Sequence, residues 1–380
     1  MESEPNRRPA PRLTHGGDWA GYQEEYGGQP LDFSANVSPL GVPPGVRKAI
    51  RQAAASADRY PDPLCRSLSR AIAAHEGVPE SFVLCGNGAA DLIFRAVLAR
   101  RPRTALITAP AFSEYETALT ACGCEVRRHL LREEQGFRLG EDFPEAIGSE
   151  KSSAETAGAD SSGFGASGTG PDMVFLCEPN NPTGVTSPRE LLLETARRCR
   201  ETGALLVLDE CFSDFLSDPD AHSLRAFLPE FPNLLILKAF TKLYAMAGVR
   251  LGYALCADAT LLSQMRAAGQ PWAVSSLAQA AGEAALSETD YVGRVRALIA
   301  RERPWLMARL EQLGLRVIPG EANYLLFCSP VPLLTPMRRR GILLRSCANY
   351  HGLGEGWYRT AVRTHKENLR LVETLREVIR

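Results

Sequence analysis

Thr241 and Lys242 close an apolar run, Leu234 to Phe240, and Arg250 follows eight residues after the lysine. A lysine at a strand end, beside a hydroxyl and a guanidinium, can hold an aldehyde cofactor covalently while its neighbours hold the cofactor's phosphate. A lysine on a surface loop would account for the same spacing. Asp209 ends a second apolar run, residues 204–210, where an unpaired carboxylate would be costly. A protonated pyridine nitrogen is a fitting partner: the charge-assisted contact contributes about 1.5–3 kcal/mol and keeps the ring an electron sink. A structural cap on the following segment is the alternative. Upstream, Asn181 lies in Glu-Pro-Asn-Asn-Pro-Thr-Gly (178–184), with an amide able to donate to an anionic ring oxygen or simply to close a turn.

Gly86-Asn87-Gly88 stands between an apolar run and a helical pattern that begins near Ala89. Backbone N–H groups at such a helix start, reinforced by its dipole, favour a phosphate. An ordinary glycine turn fits as well, whereas a dinucleotide fingerprint fits poorly, because its last glycine position falls on Asp91.

These residues need a frame, and the chain supplies one. Short apolar runs at 104–110, 172–179, 204–210, 233–240 and 252–256 alternate with helix-length segments such as 188–201. They read as buried strands of a mostly parallel sheet with helices on both faces, the α/β class, whose ligands bind at the strands' carboxyl ends. Past about residue 265 long charged helices flank strand-like 323–328 and 341–346, which predicts a smaller α+β domain. A chain of 380 residues exceeds one simple core. Segment 148–170 is rich in Ser, Gly, Ala and Thr and is expected to be a flexible insertion.

The formal net charge of −1 leaves no positive excess for a nucleic-acid backbone or an anionic membrane, so a small-molecule partner is expected. The ten cysteines are scattered without paired C-x-x-C units, a pattern of reduced core thiols rather than a disulfide frame or a metal site. No secretory signal or long apolar stretch is evident, which predicts a cytoplasmic protein.

In order, Gly-Asn-Gly-Ala (86–89), Ala-Pro-Ala-Phe-Ser-Glu-Tyr (109–115), 178–184, Leu-Asp-Glu (208–210), Phe-Thr-Lys (240–242) and 249–253 resemble the fold-type-I pyridoxal-phosphate enzymes of the class I/II aminotransferase superfamily. The resemblance runs from about His15 to Arg363. It implies a large domain (46–265) with a seven-stranded type of sheet, a small C-terminal domain (266–380), and an N-terminal arm (1–45) reaching the active site. It also implies that Lys242 binds the cofactor covalently, Asp209 pairs with the ring nitrogen, Asn181 meets the ring oxygen and Phe112 stacks on the ring. Gly88, Ala89, Thr241 and Arg250 would bind the phosphate, with Tyr60 reaching it from a second subunit, hence a homodimer.

Within that superfamily the chain is most similar to threonine-phosphate decarboxylases of cobalamin biosynthesis, and next to histidinol-phosphate aminotransferases. Thr-His-Gly-Gly-Asp (14–18) with 31–41 resembles the decarboxylases' opening, and 345–363 their closing segment. Phe212 stands where the aminotransferases usually carry tyrosine. The resemblance therefore implies a small phosphorylated amino acid as substrate, held by His15, Gly16, Asn36, Asn181, Arg345 and Arg359. Guanidinium forks suit phosphate oxygens. Decarboxylation of O-phospho-L-threonine is expected, with O-phospho-L-serine a second substrate, since one methyl discriminates by only about 1–3 kcal/mol. Transamination of the histidinol-phosphate kind is the alternative, and a non-catalytic dimer keeping the fold is a third reading.

Overall fold

In the computed structural model, which describes residues 15–148 and 170–379, the central strands are buried at every position. That is the burial an apolar run acquires when both sheet faces are covered. The strands are β1 (Leu31–Asp32), β2 (Val83–Gly86), β3 (Thr104–Ala109), β4 (Glu125–Leu130), β5 (Met173–Cys177), β6 (Leu205–Asp209), β7 (Leu234–Ala239), β8 (Gly252–Leu255), β9 (Arg316–Ile318), β10 (Tyr324–Cys328), β11 (Ile342–Leu343), β12 (Arg345–Ser346) and β13 (Trp357–Ala361). Seven form one sheet in the order β2-β8-β7-β6-β5-β3-β4. Alternate residues divide between two cores, with Val174, Leu176, Leu206, Leu208 and Ile236 on one face and Phe175, Val207, Leu235 and Leu237 on the other.

The sheet is parallel from β4 through β7, as expected for α/β architecture. Two details differ from the sequence reading. β8, read with the parallel strands, runs antiparallel to both β7 and β2. Its connection from β7 contains only the four-residue helix Phe240–Leu243, too little to lay a crossover over the sheet, so the chain turns back beside β7. The edge strand β4 was not anticipated: Glu-Val-Arg-Arg-His-Leu has no apolar run, because none of its residues is fully buried.

The C-terminal part forms a four-stranded antiparallel sheet, β12-β13-β10-β9, with helices Thr289–Gln312 and His365–Ile379 packed together. The strand-like 341–346 segment splits: β11 pairs in parallel with β1 near the N-terminus, while β12 joins β13. The first described residues are thereby tied to the last quarter of the chain. The expected insertion lies, apart from its two ends, outside the described residues. All ten cysteines are free and eight are buried. Among the described residues no helix is long and apolar enough to cross a membrane, and no cluster has the makings of a metal site.

Candidate active site

Asp209 is the last residue of β6 and is 4% exposed. Its Oδ2 accepts from the Tyr115 hydroxyl at 2.6 Å, and its Oδ1 from the Cys211 N–H at 3.0 Å. Burial, with the Asp209 charge next, pushes the Tyr115 hydroxyl well above its usual range, so the phenol remains the donor. Phe112, immediately before helix Ser113–Ala121, packs edge-on to Tyr115, 5.6 Å between centroids. Thus an aromatic wall stands beside the carboxylate.

Lys242 sits in the short helix that follows β7, one strand over from Asp209. Its Nζ lies 5.5 Å from the centre of the Phe212 ring, and the residue is partly exposed. Burial lowers the amine's pKa, partly offset by the Cys211 thiol and reinforced by the charges of Arg359 and Arg250. A lowered pKa raises the fraction of neutral amine, the nucleophilic form. Thr241 beside it is 4% exposed.

At the other end of the cleft, β2 runs into helix Ala89–Arg100 through Gly88, whose φ is +84°. A Cβ on Gly88 would fall 2.7 Å from Arg250 Nη2, and one on Gly252 would fall 2.8 Å from the Ala89 nitrogen. Gly88, Ala89 and Arg250 therefore surround one small cradle, open only because two glycines line it.

Arg345 and Arg359 are direct partners across β12 and β13. Residues opposite each other in an antiparallel pair share a face, and like charges there repel, which is favourable for a site that receives an anion. Arg359 donates to Asn181 Oδ1 and to the Ser34 carbonyl (3.1 Å), while its buried Nε has no hydrogen-bond partner among the described residues. Arg345 donates to Asn349 Oδ1 at 2.8 Å. Asn36 is 2% exposed, and neither of its amide atoms has a hydrogen-bond partner among the described residues.

The arm joins this cluster through Ser34. Gly17 N–H donates to Ser34 Oγ at 2.8 Å, and a Cβ on Gly16 would stand 2.3 Å from the Ser34 carbonyl oxygen. His15 is hydrogen-bonded through Nε2 to Glu114 Oε1 at 2.9 Å, with its ring 5.9 Å from Phe112. Tyr60 stands apart, 81% exposed and stacked on Trp272. Among the described residues it makes no hydrogen bond or ring contact with the others named.

The chain has known relatives. A family model, aminotransferase class I and II, matches residues 29–375. The chain belongs to that family. Its cofactor is pyridoxal phosphate. Among curated relatives of this class I/II enzyme, threonine-phosphate decarboxylase of Salmonella typhimurium is 38% identical over 355 residues, covering 92% of each chain. Histidinol-phosphate aminotransferase of Oleidesulfovibrio alaskensis is 32% identical over 340 residues, 87% of this chain and 83% of that one. Histidinol-phosphate aminotransferase of Sinorhizobium meliloti, solved in complex with pyridoxal-5'-phosphate, superposes with a TM-score of 0.80 at 24% identity, covering 95% of this chain and 94% of that one. The doubly flanked, mostly parallel sheet is the fold-type-I architecture.

The cleft fits the cofactor on its own chemistry. A buried carboxylate, an amine one strand away and a glycine-lined cradle beside a guanidinium match its ring nitrogen, aldehyde and phosphate, and beside them the buried Asn36 amide and Arg359 Nε are partnerless among the described residues. Several contributors were not recognised in the sequence. Tyr115 closes the 109–115 motif, three residues after Phe112, yet only the fold shows that it supports Asp209. Ser34, which joins the arm to Arg359, has no sequence signature beyond its neighbourhood to Asn36.

Proposed function

We propose that this enzyme decarboxylates O-phospho-L-threonine, releasing carbon dioxide and an aminopropanol phosphate, with O-phospho-L-serine as a slower substrate. The observation that carries the reading is the pairing of Arg345 and Arg359 on one face, with His15 at the Phe112 end of the same cleft. Two fixed guanidiniums and an imidazole exceed what one carboxylate needs and suit a substrate bearing both carboxylate and phosphate. The 38% identity to a threonine-phosphate decarboxylase supports it, as does Phe212 in the position where a tyrosine hydroxyl would otherwise reach the ring oxygen.

In this reading Lys242 binds the cofactor and later handles a proton at Nζ, Asp209 holds the ring nitrogen protonated, and Asn181 donates to the ring oxygen. Phe112 lies against the ring, and Gly88, Ala89, Thr241 and Arg250 hold the phosphate. Pyridoxal phosphate, when bound, supplies an electron sink for the bond that breaks. The chain selects that bond by orientation: Arg345, Arg359, His15, Gly16 and Asn36 fix the substrate so that its carboxylate, not its α-hydrogen, stands perpendicular to the ring. Burial of Asp209 keeps water from the ring-nitrogen end. Tyr60, exposed in one chain, reaches the phosphate of a second copy, making the enzyme a homodimer.

The test is incubation of the purified enzyme with O-phospho-L-threonine in the absence of any keto acid. Stoichiometric release of carbon dioxide is expected. No release, together with amino transfer from histidinol phosphate that depends on 2-oxoglutarate, would overturn the reading. That aminotransferase is the second reading, and its specific support is the 32% identity to histidinol-phosphate aminotransferase.

A further inference from the structure

Asp91 is an anomaly at the cofactor cradle. It is the third residue of helix Ala89–Arg100, and an acid in the first turn already uses the positive end of the helix dipole. Left alone, its charge would oppose a phosphate bound at the same helix start. It is not left alone. Oδ2 accepts from the Asn87 N–H at 2.8 Å, Oδ1 accepts from Arg95 Nε at 2.9 Å, and Arg95 Nη2 lies 2.8 Å from Oδ2. The Arg95 side chain is 5% exposed and that of Asp91 25%, so this pair is only partly screened by water.

The backbone is shaped around the pair on both sides. A Cβ on Gly86 would lie 2.9 Å from Asp91 Oδ2, and one on Gly269 would lie 2.2 Å from Arg95 Cζ. Asp91 takes the Asn87 N–H, and the Gly88 N–H goes to the Gly86 carbonyl at 2.9 Å. The N–H groups of Ala89 and Ala90 then remain at the helix start without intrahelical acceptors, beside Arg250.

We propose that Asp91 and Arg95 are positioning residues for the cofactor phosphate: Asp91 fixes the Gly86–Ala89 turn in its anion-binding form, and Arg95 cancels the carboxylate charge that would otherwise repel the phosphate. The inference rests on the phosphate lying at Gly88, Ala89 and Arg250, as proposed above. It carries an unusual signature, because the loss caused by removing Arg95 is reversed by also removing the charge of Asp91.

The experiment is titration of apo-protein with pyridoxal phosphate, following cofactor absorbance to obtain Kd, with thermal denaturation of each apo-protein as the check on folding. Arg95→Met is expected to weaken binding by about tenfold or more, the scale of one uncompensated charge at short range in a partly screened site. Arg95→Gln is the second variant, should Arg95→Met not fold, and carries the same expectation. Asp91→Asn alone and Asp91→Asn combined with Arg95→Met are both expected to bind within about threefold of wild type, since the amide oxygen still accepts the Asn87 N–H and neither variant leaves an unpaired carboxylate; the cost of the buried Arg95 cation left unpaired in Asp91→Asn alone is read in the thermal denaturation, not in Kd. Arg250→Met serves as the control. If it weakens binding while Arg95→Met and Arg95→Gln do not, the pair has no such role; if none of the three changes Kd, the phosphate placement itself is wrong. A double variant as weak as Arg95→Met alone would mean lost packing rather than charge, and would also overturn the proposal.

Discussion

In the proposed mechanism two side chains at adjacent strand ends divide the chemistry, and each is tuned by what surrounds it. The Lys242 amine is lowered first by burial and then by the charges of Arg359 and Arg250, which favours the uncharged form that attacks a carbonyl. Asp209 keeps two donors, Tyr115 and the Cys211 N–H, so its orientation does not depend on the cofactor. Different losses are expected when each is removed. Lys242→Ala abolishes turnover, because no other described lysine stands in the cleft: Lys238 is committed to Glu76 and Asp214. Asp209→Asn keeps one acceptor oxygen for the Cys211 N–H, while its NH2 meets the Tyr115 oxygen only if that hydroxyl turns from donor to acceptor; it is expected to retain most cofactor affinity. It is expected to cost roughly 10²–10³-fold in kcat, the usual scale for removing a preorganised electrostatic partner. Steady-state kinetics beside cofactor absorbance check both. Near-normal turnover by Lys242→Ala would refute the assignment.

The elements that hold these residues are pinned by a buried ionic cluster. Glu76, the last residue of helix Arg66–Glu76, accepts from Arg225 Nη1 at 2.6 Å and from the Tyr253 hydroxyl, and lies 3.2 Å from Lys238 Nζ. Lys238 in turn meets Asp214 at 2.9 Å. Helix, β7, β8 and the segment after β6 thus share one set of charges. Burial pushes the Glu76 carboxyl up, yet Lys238's charge and the donors Tyr253 and Arg225 outweigh it and hold the pKa down at about 2. A carboxyl depressed from about 4.5 contributes stability that is full above its unfolded value and is lost as pH falls through the folded one. Denaturant unfolding of the wild type should therefore weaken between about pH 4.5 and pH 2, and Glu76→Gln should flatten that slope. At neutral pH the same variant leaves Lys238 and Arg225 short of a partner and is expected to cost about 3–5 kcal/mol. An unchanged denaturation midpoint at neutral pH would refute the role. The cluster also shows why some of the molecule was legible in the sequence and some was not. β3, β5, β6 and β7 are evident because burial on both faces requires unbroken apolar runs, and Asp209 and Lys242 are evident because they interrupt such runs at their ends. β4 and the reversed β8 follow from edge exposure and connection geometry, neither of which leaves a pattern. Tyr115, Glu76 and the Asp91–Arg95 pair are defined by partners in other elements or by backbone approach, so their types at those positions look like ordinary surface or core residues.

At the scale of the whole molecule, the arm, the small sheet and the large sheet meet at one cleft, yet Tyr60 points elsewhere. It is 81% exposed and stacked on Trp272, itself 45% exposed, with Leu64 at 39% nearby in the chain. Stacked exposed aromatics leave apolar ring faces in water, so covering them by a second copy would be favourable. If a second copy covers them in a two-fold dimer, each Tyr60 enters the other chain's site and each site is built from both chains. Complementation then distinguishes trans from cis action. Lys242→Ala and Tyr60→Ala homodimers are each expected to be impaired. In a hybrid of the two, one site receives both lesions and the other receives none, since its lysine and its tyrosine come from different chains. Random reassortment makes about half of the dimers hybrid with one intact site in two, so unfolding and refolding the mixture should recover about a quarter of wild-type activity. Were Tyr60 to act within its own chain, every hybrid site would lack either the lysine or the tyrosine, and the mixture would show no gain over the mean of its parents. Size-exclusion chromatography of the refolded mixture confirms that dimers have re-formed before activity is compared.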